Sequence, residues 1–276
     1  MAVGLAVITA LVWGVMEVLL LRMAKQAGAF TVALWLALLG GLLALPIALV
    51  SGPPGDDGGQ LALALLPGLL GLGATFLYLV ALRVGKLMVV SPTVATSGGV
   101  GAVLAVVFLD ERFQLVVMLA VIASVAGVVM ASAAGRGDVT GAGWAVPAAL
   151  LFGAYTTALA VSAERIGPMW AVLGYRIATL LVLVPIGMVV GGLSLRLPRE
   201  IRAPIAAAAL LETVGFAAFS IALSIGPVAI VSVIMAQFTT VAVVLAALVL
   251  DERLRPHQWA GVGVVIGSIV ALGTLR

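Results

Sequence analysis

Ten apolar stretches of membrane-crossing length fill this 276-residue chain almost end to end, and one block near its middle returns near its end. Leu109-Asp110-Glu111-Arg112-Phe113 recurs as Leu250-Asp251-Glu252-Arg253-Leu254, 141 positions later (251 minus 110). Leu82, Gly85, Val90 and Ser91 recur at the same offset as Leu223, Gly226, Val231 and Ser232. Earlier landmarks recur at an offset of 139, Trp13-Gly14 against Phe152-Gly153 and Pro46 against Pro185, so one small insertion separates the two sections. The chain therefore reads as two copies of one unit, residues 1–134 and 141–276. Five crossings per copy is an odd number, so the second copy is expected to enter the membrane upside down relative to the first.

Composition supports the membrane and removes whole classes of chemistry. Hydrophobic residues make up 64% of the chain and charged residues 9%, against about 25% charged in a soluble domain. There are no cysteines, which excludes disulfides, thiol catalysis and thiolate metal sites. The single histidine, His257, cannot build a metal site or a serine-histidine pair alone, so no metal, no cofactor and no enzymatic activity are expected. No phosphate-binding Gly-Lys-Ser/Thr loop is present, which excludes an ATP-driven pump within this chain. The formal charge of +3 comes from residues scattered through short loops and does not point to nucleic acid.

Turn chemistry and length predict spans over Ala2–Ala24, Phe30–Ser51, Gln60–Leu82, Leu87–Leu109, Phe113–Ala133, Gly141–Ala163, Met169–Gly191, Pro204–Ser224, Val228–Leu250 and Gln258–Thr274. The fold class is an all-α integral membrane bundle of ten transmembrane helices in two inverted five-helix repeats.

Several segments carry a resemblance: Leu11-Val12-Trp13-Gly14 in the first helix, Ala81-Leu82-Arg83-Val84-Gly85 before the fourth, Val90-Ser91-Pro92 within it, an acidic Glu-Arg pair after the fourth and ninth, and Gln258-Trp259-Ala260-Gly261 opening the tenth. In this order the chain resembles the ten-helix, EamA-like members of the drug/metabolite transporter superfamily. The resemblance implies a carrier of metabolites or drugs in a cytoplasmic or organellar membrane, with a central cavity between the inverted halves, and the expected location is multi-pass in the cytoplasmic (inner) membrane of a prokaryotic cell. The first repeat also resembles the small multidrug resistance family, in which a first-helix glutamate takes protons and cationic drugs in competition. Met16-Glu17-Val18 with Lys25 matches that pattern, and Ser97-Gly98-Gly99-Val100-Gly101 is close to its glycine-rich packing motif, with Ser97 where that family has a tryptophan.

Glu17, Arg176 and Glu212 are the three ionisable residues far from every predicted helix end. Each costs about 2.5 to 3.5 kcal/mol at mid-membrane unless it faces an interior. They support two readings: a buried Arg176–Glu212 pair that holds helices together, or a site where one carboxylate contacts substrate or proton and Arg176 reads a substrate anion. Trp13, Tyr78, Thr96, Ser97, Tyr155, Tyr175 and Gln237 fall at similar depth and complete the candidate substrate site. Glu17 has no cation one turn away and is the first candidate for proton coupling, with Glu212 the second. Asp110-Glu111-Arg112 and its repeat sit at helix junctions, where capping explains them.

A zwitterion needs both signs in its site, so export of a small polar organic metabolite, an amino acid or similar, is the expected function, with efflux of a cationic drug as the alternative. A channel or a membrane-embedded enzyme is the rival outside that class. The expected partners are the substrate, the lipid bilayer and protons, in a monomer or weak homodimer. Loops on the terminal face carry Arg112, Arg165 and Arg276, and the opposite loops carry Arg22, Lys25, Arg83, Lys86, Arg136, Arg196, Arg199, Arg202, Arg253 and Arg255. Charge thus puts the termini outside, whereas the family resemblance puts them in the cytoplasm.

Overall fold

The computed structural model describes residues 1–54, 61–85, 87–111, 115, 118–119, 122–123, 126–127, 130, 140–192, 194–249 and 256–274. Most of the predicted fifth span, the tip of the loop after the second, and the repeated Asp251-Glu252-Arg253 block lie outside the described residues. Among those described the structure is helical, with no strand: α1 (Ala2–Ala27), α2 (Ala29–Val50), α3 (Leu65–Val84), α4 (Leu87–Ala95), α5 (Ser97–Leu109), α6 (Ala142–Ile166), α7 (Pro168–Val190), α8 (Arg199–Ile225), α9 (Val228–Met235), α10 (Phe238–Val249) and α11 (Pro256–Thr274). Six of these, α1, α2, α3, α6, α7 and α8, contain apolar runs long enough to cross a membrane.

Two predicted spans, Leu87–Leu109 and Val228–Leu250, differ from expectation because each is divided in the middle. The first breaks at Thr96 and the second at Ala236-Gln237, and Thr96 and Gln237 are repeat equivalents, 141 positions apart. At both breaks one turn tightens: the Thr96 N–H bonds Thr93 O at 3.3 Å, and the Gln237 N–H bonds Ile234 O at 3.1 Å. Hydroxyls compete for the freed carbonyls, with Thr96 Oγ1 donating to Thr93 O at 2.7 Å and Thr239 Oγ1 to Ala236 O at 3.1 Å. The eighth predicted span also begins earlier, at Arg199, because Pro198 sets the entry and Arg199-Glu200 form the first turn.

The junctions repeat as well. Gly28 between α1 and α2 has φ 79 and ψ 151, and Gly167 between α6 and α7, 139 positions on, has φ 94 and ψ 146. Only glycine occupies that region freely. Each carbonyl then accepts from the first turn of the next helix, Val32 N–H at 3.1 Å and Ala171 N–H at 3.0 Å.

Between the copies, packing is reciprocal: α1 lies against α8 and α3 against α6, while α2 lies against α7 and α5 against α9. Gly14 of α1 faces Val241 of α10, and Gly153 of α6 faces Val100 of α5. Both members of the second pair are repeat equivalents of the first. The absent side chains let the helix backbones approach closely, which is the usual way helices associate without a hydrophobic driving force between them.

The two ends of the bundle differ. At the end holding Ala2, a single apolar cluster joins α1, α2, α5, α6, α7, α8 and α9 through Ala6, Ala48, Ala105, Ala163, Val172, Phe219 and Val231. Trp170 Nε1 donates to Gly52 O at 2.8 Å and Ser220 Oγ to Pro168 O at 2.9 Å there. At the end holding Thr31 the core splits. Met23, Val32, Leu36, Ile201 and Ile205 join α1, α2 and α8, and Ala81, Val90, Val94, Ala145 and Ala148 join α3, α4 and α6.

The glycine contacts give a direct test. A Cβ on Gly14 would lie 2.5 Å from Val241 Cβ, and one on Gly153 2.6 Å from Val100 Cβ, whereas Gly4 and Gly143 have nothing within 4 Å. Gly14→Ala and Gly153→Ala are expected to cost about 1–3 kcal/mol by overpacking. Gly4→Ala and Gly143→Ala should be neutral or stabilising by about 0.5–1 kcal/mol. Thermal unfolding of the four purified variants in detergent checks this, and equal melting temperatures across the set would refute the close approach.

Candidate functional site

Between the two half-cores lies a cavity of about 150 Å³. A cavity of that volume accommodates a benzene-sized molecule. One wall comes from α1 and α2 (Trp13, Met16, Glu17, Leu20, Val32, Leu36), and another from α3 and α6 (Gly71, Thr75, Tyr78, Phe152, Tyr155). Tyr175, Arg176 and Thr179 of α7, with Glu212 and Phe216 of α8, form the far side, and Ser97, Met235 and Phe238 from the two helix breaks close it. Helical spacing explains most of this set. Trp13, Met16, Glu17 and Leu20 share one face of α1, and Gly71, Thr75, Tyr78 and Leu79 share one face of α3.

Glu17 is 3% exposed. Its Oε1 accepts from Tyr78 OH and from Ser91 Oγ, the latter at 3.1 Å. Oε2 finds no hydrogen-bond partner among the described residues. Two donors on one oxygen fix the carboxylate and leave the other oxygen available, a costly arrangement for a buried charge unless a proton or a cationic group joins it.

Arg176, 2% exposed, forms an ion pair with Glu212, Nη1 lying 3.0 Å from Oε2, and Oε2 has no hydrogen bond of good geometry among the described residues. Its Cζ lies 4.6 Å from the centre of the Phe216 ring, a cation–π approach. Nε and Nη2 have no hydrogen-bond partner among the described residues. The guanidinium fits because α2 carries glycine beside it: a Cβ on Gly40 would lie 2.8 Å from Cζ and 2.9 Å from Nε. Gly71 does the same for the rings, where a Cβ would meet Tyr175 Cε2 at 2.6 Å. Tyr155 and Tyr175 lie 5.7 Å apart by ring centres, and Tyr175 and Phe216 4.8 Å. Trp13 meets Phe216 edge-on at 5.0 Å. Trp13 Nε1 and Tyr155 OH are further buried donors without a partner among the described residues.

Of the residues singled out in the sequence, Trp13, Glu17, Tyr78, Ser97, Tyr155, Tyr175, Arg176 and Glu212 line this one cavity. Thr96 and Gln237 do not. They occupy the two helix breaks, and the Gln237 amide donates to Val233 O at 3.0 Å while accepting from Thr240 Oγ1 at 3.3 Å. Sequence reasoning missed Thr75, Thr179, Phe216 and Gly40. For the first three a signal existed, since Thr75 precedes Tyr78 by three, Thr179 follows Arg176 by three and Phe216 follows Glu212 by four. Gly40 sits in an unbroken apolar run and gave none.

No curated protein matches the chain. A solved structure described only as "Crystal structure of protein" is similar to it with a TM-score of 0.80 at 17% identity, covering 100% of this chain and 99% of that one; the likeness shows a shared fold. The model of the EamA-like transporter family matches twice, over residues 1–133 and 139–274. The chain belongs to the EamA-like transporter family of the drug/metabolite transporter superfamily and is a multi-pass membrane transporter of that kind.

Proposed function

We propose that this transporter exports a small polar organic metabolite, an amino acid or similar zwitterion, by alternating access between two inverted five-span halves, with protons exchanging at Glu17. One observation carries the reading: one cavity is lined by both a carboxylate oxygen, Glu17 Oε2, and guanidinium N–H groups on Arg176 that have no hydrogen-bond partner among the described residues. A substrate ammonium answers the first, and a substrate carboxylate answers the second in charge-assisted hydrogen bonds. Nine spans result among the described residues when α4 with α5, and α9 with α10, each count as one broken crossing, and the predicted span Phe113–Ala133 would be the tenth. Broken helices at a central site are the layout expected of carriers built from inverted repeats. The continuous core at the Ala2 end and the divided core at the Thr31 end correspond to a state open towards Thr31. That end carries most of the basic loop residues, so by charge this state faces the cytoplasm.

A second reading, efflux of a cationic compound, has its own support. Glu212 already matches the charge of Arg176 at 3.0 Å, which leaves Glu17 as the uncompensated charge among aromatic rings that attract cations. Export of a zwitterion requires Arg176 to contact substrate; efflux of a cation does not.

Two experiments separate these readings. In reconstituted protein, substrate counterflow and proton movement are followed in wild type, Glu17→Gln and Glu212→Gln across a panel of amino acids and organic cations. Glu17→Gln is expected to lose proton-linked transport by a factor of ten or more, on the order of what one lost charge contact costs. Proton-linked uptake undiminished in that variant removes Glu17 from the coupling role.

The double variant Arg176→Met/Glu212→Leu addresses the pair. Removing one partner alone strands a buried charge and is expected to destabilise by about 3–5 kcal/mol, whereas replacing both is expected to leave the fold near wild-type stability. Transport of a zwitterion should then vanish from a folded protein. Wild-type transport by the double variant would assign both residues to the scaffold and leave the cation reading standing.

A further inference from the structure

We propose that Glu111 determines which way the cavity opens: its carboxylate is a latch across the two repeats, made while the Ala2 end is shut and broken when that end opens. The inference rests on the transport reading above but uses residues outside the cavity.

Glu111 lies two residues beyond α5, in the first repeat. One carboxylate oxygen accepts the backbone N–H of Val228 at 2.5 Å and the other that of Ala229 at 3.0 Å. These are the first two residues of α9, in the second repeat. The residue before them is Pro227, which supplies no side-chain cap, so α9 takes its cap from the other half of the molecule. All eight residues of α9 are buried. A carboxylate on the N-terminal N–H groups of a helix is favoured both by the hydrogen bonds and by the helix dipole.

The backbone is bent to reach this position. Asp110 has φ 53, the one positive φ at a non-glycine residue among those described, and the turn sends the Glu111 N–H back to Ala105 O at 3.5 Å. Such a conformation persists only where its surroundings hold it. At the Thr31 end the core divides into α1, α2 and α8 against α3, α4 and α6, so each body draws on both repeats. α5 packs on α6 and α9 on α1, so this cap joins the two bodies, and their separation at the Ala2 end must break it. The segment around Glu111 is also the block that the sequence repeats around Glu252.

The natural absence of cysteine makes the test direct. The Ala6→Cys thiol reports on the Ala2 end, where Ala6 is fully buried in the apolar cluster. The Ala33→Cys thiol reports on the cavity wall in the first turns of α2. Labelling rates with a membrane-impermeant maleimide are measured in nanodiscs, where both faces meet the reagent, in wild-type and Glu111→Ala backgrounds, with Glu111→Gln as an intermediate that keeps one acceptor oxygen. Loss of a helix cap shifts an equilibrium about tenfold. The expected result is therefore about tenfold faster labelling at Ala6→Cys, slower labelling at Ala33→Cys, and a smaller effect of the same sign in Glu111→Gln. Unchanged rates at both positions overturn the latch. Faster labelling at both also overturns it, because the cap is then a general stabiliser. Transport that continues while the Ala6→Cys thiol is labelled in no background removes alternating access through this end, and the latch with it.

Discussion

Charge in hydrocarbon is the constraint on which this structure turns. Glu17, Arg176 and Glu212 sit 3%, 2% and 8% exposed, in a molecule whose outer surface is given to lipid. Each needs a partner, and the cavity exists where the partners are incomplete. The Arg176–Glu212 pair at 3.0 Å removes one charge from the account, and the Phe216 ring covers its exposed face. Tyr78 and Ser91 satisfy half of Glu17. What remains among the described residues is one Glu17 oxygen, the rest of a guanidinium, Trp13 Nε1 and Tyr155 OH within one set of aromatic walls, and a polar ligand is the simplest way to complete them.

The surrounding scaffold follows from small residues. Gly14 and Gly153 admit a valine from the opposite repeat, Gly98 brings α5 within 2.7 Å of Ala236 Cβ by the position a side chain would take, and Gly40 gives the guanidinium its place. These contacts cross between the copies, so they fix the halves against each other without large interlocking side chains. Helices packed on such flat faces can pivot with little repacking, and a carrier requires that of its two halves.

Much of the fold was legible because periodicity and length survive in the sequence. The duplicated block and its 139 and 141 offsets anticipate pairs that the structure brings to equivalent positions, such as Gly28 with Gly167. The helix breaks at Thr96 and Gln237 were not legible, since the scattered uncharged polar residues of each run, Ser91, Thr93, Thr96 and Ser97 in one and Ser232, Gln237, Thr239 and Thr240 in the other, leave it apolar enough to read as one continuous span. Depth alone marks those two side chains as site donors, whereas Thr96 Oγ1 donates to Thr93 O and the Gln237 amide donates to Val233 O, each within its own helix turn. Depth ranks residues along a helix but does not give their azimuth. Where azimuth could be inferred from a charged neighbour, as for Thr179 and Phe216, the wall was within reach. Gly40 matters through the side chain it lacks, and only a three-dimensional neighbour reveals that.

The repeat is faithful in the scaffold and broken in the site. At an offset of 139, Glu17 corresponds to Thr156 and Arg176 to Ala37; at 141, Glu212 corresponds to Gly71 and Tyr78 to Phe219. Thr156 Oγ1 bonds the Phe152 carbonyl of its own helix at 3.0 Å, so the second copy has no counterpart of the Glu17 cluster. This asymmetry has a physical reason. Two symmetric halves can exchange conformations at almost equal energy, which alternating exposure needs, but a symmetric pair of carboxylates around one small cavity would repel each other and offer a substrate two equivalent poses. Placing the carboxylate with its donors in the first copy and the guanidinium pair in the second gives one pose and one polarity. On the proposed alternating-access reading, the symmetric parts move around a site that does not change its identity as they do.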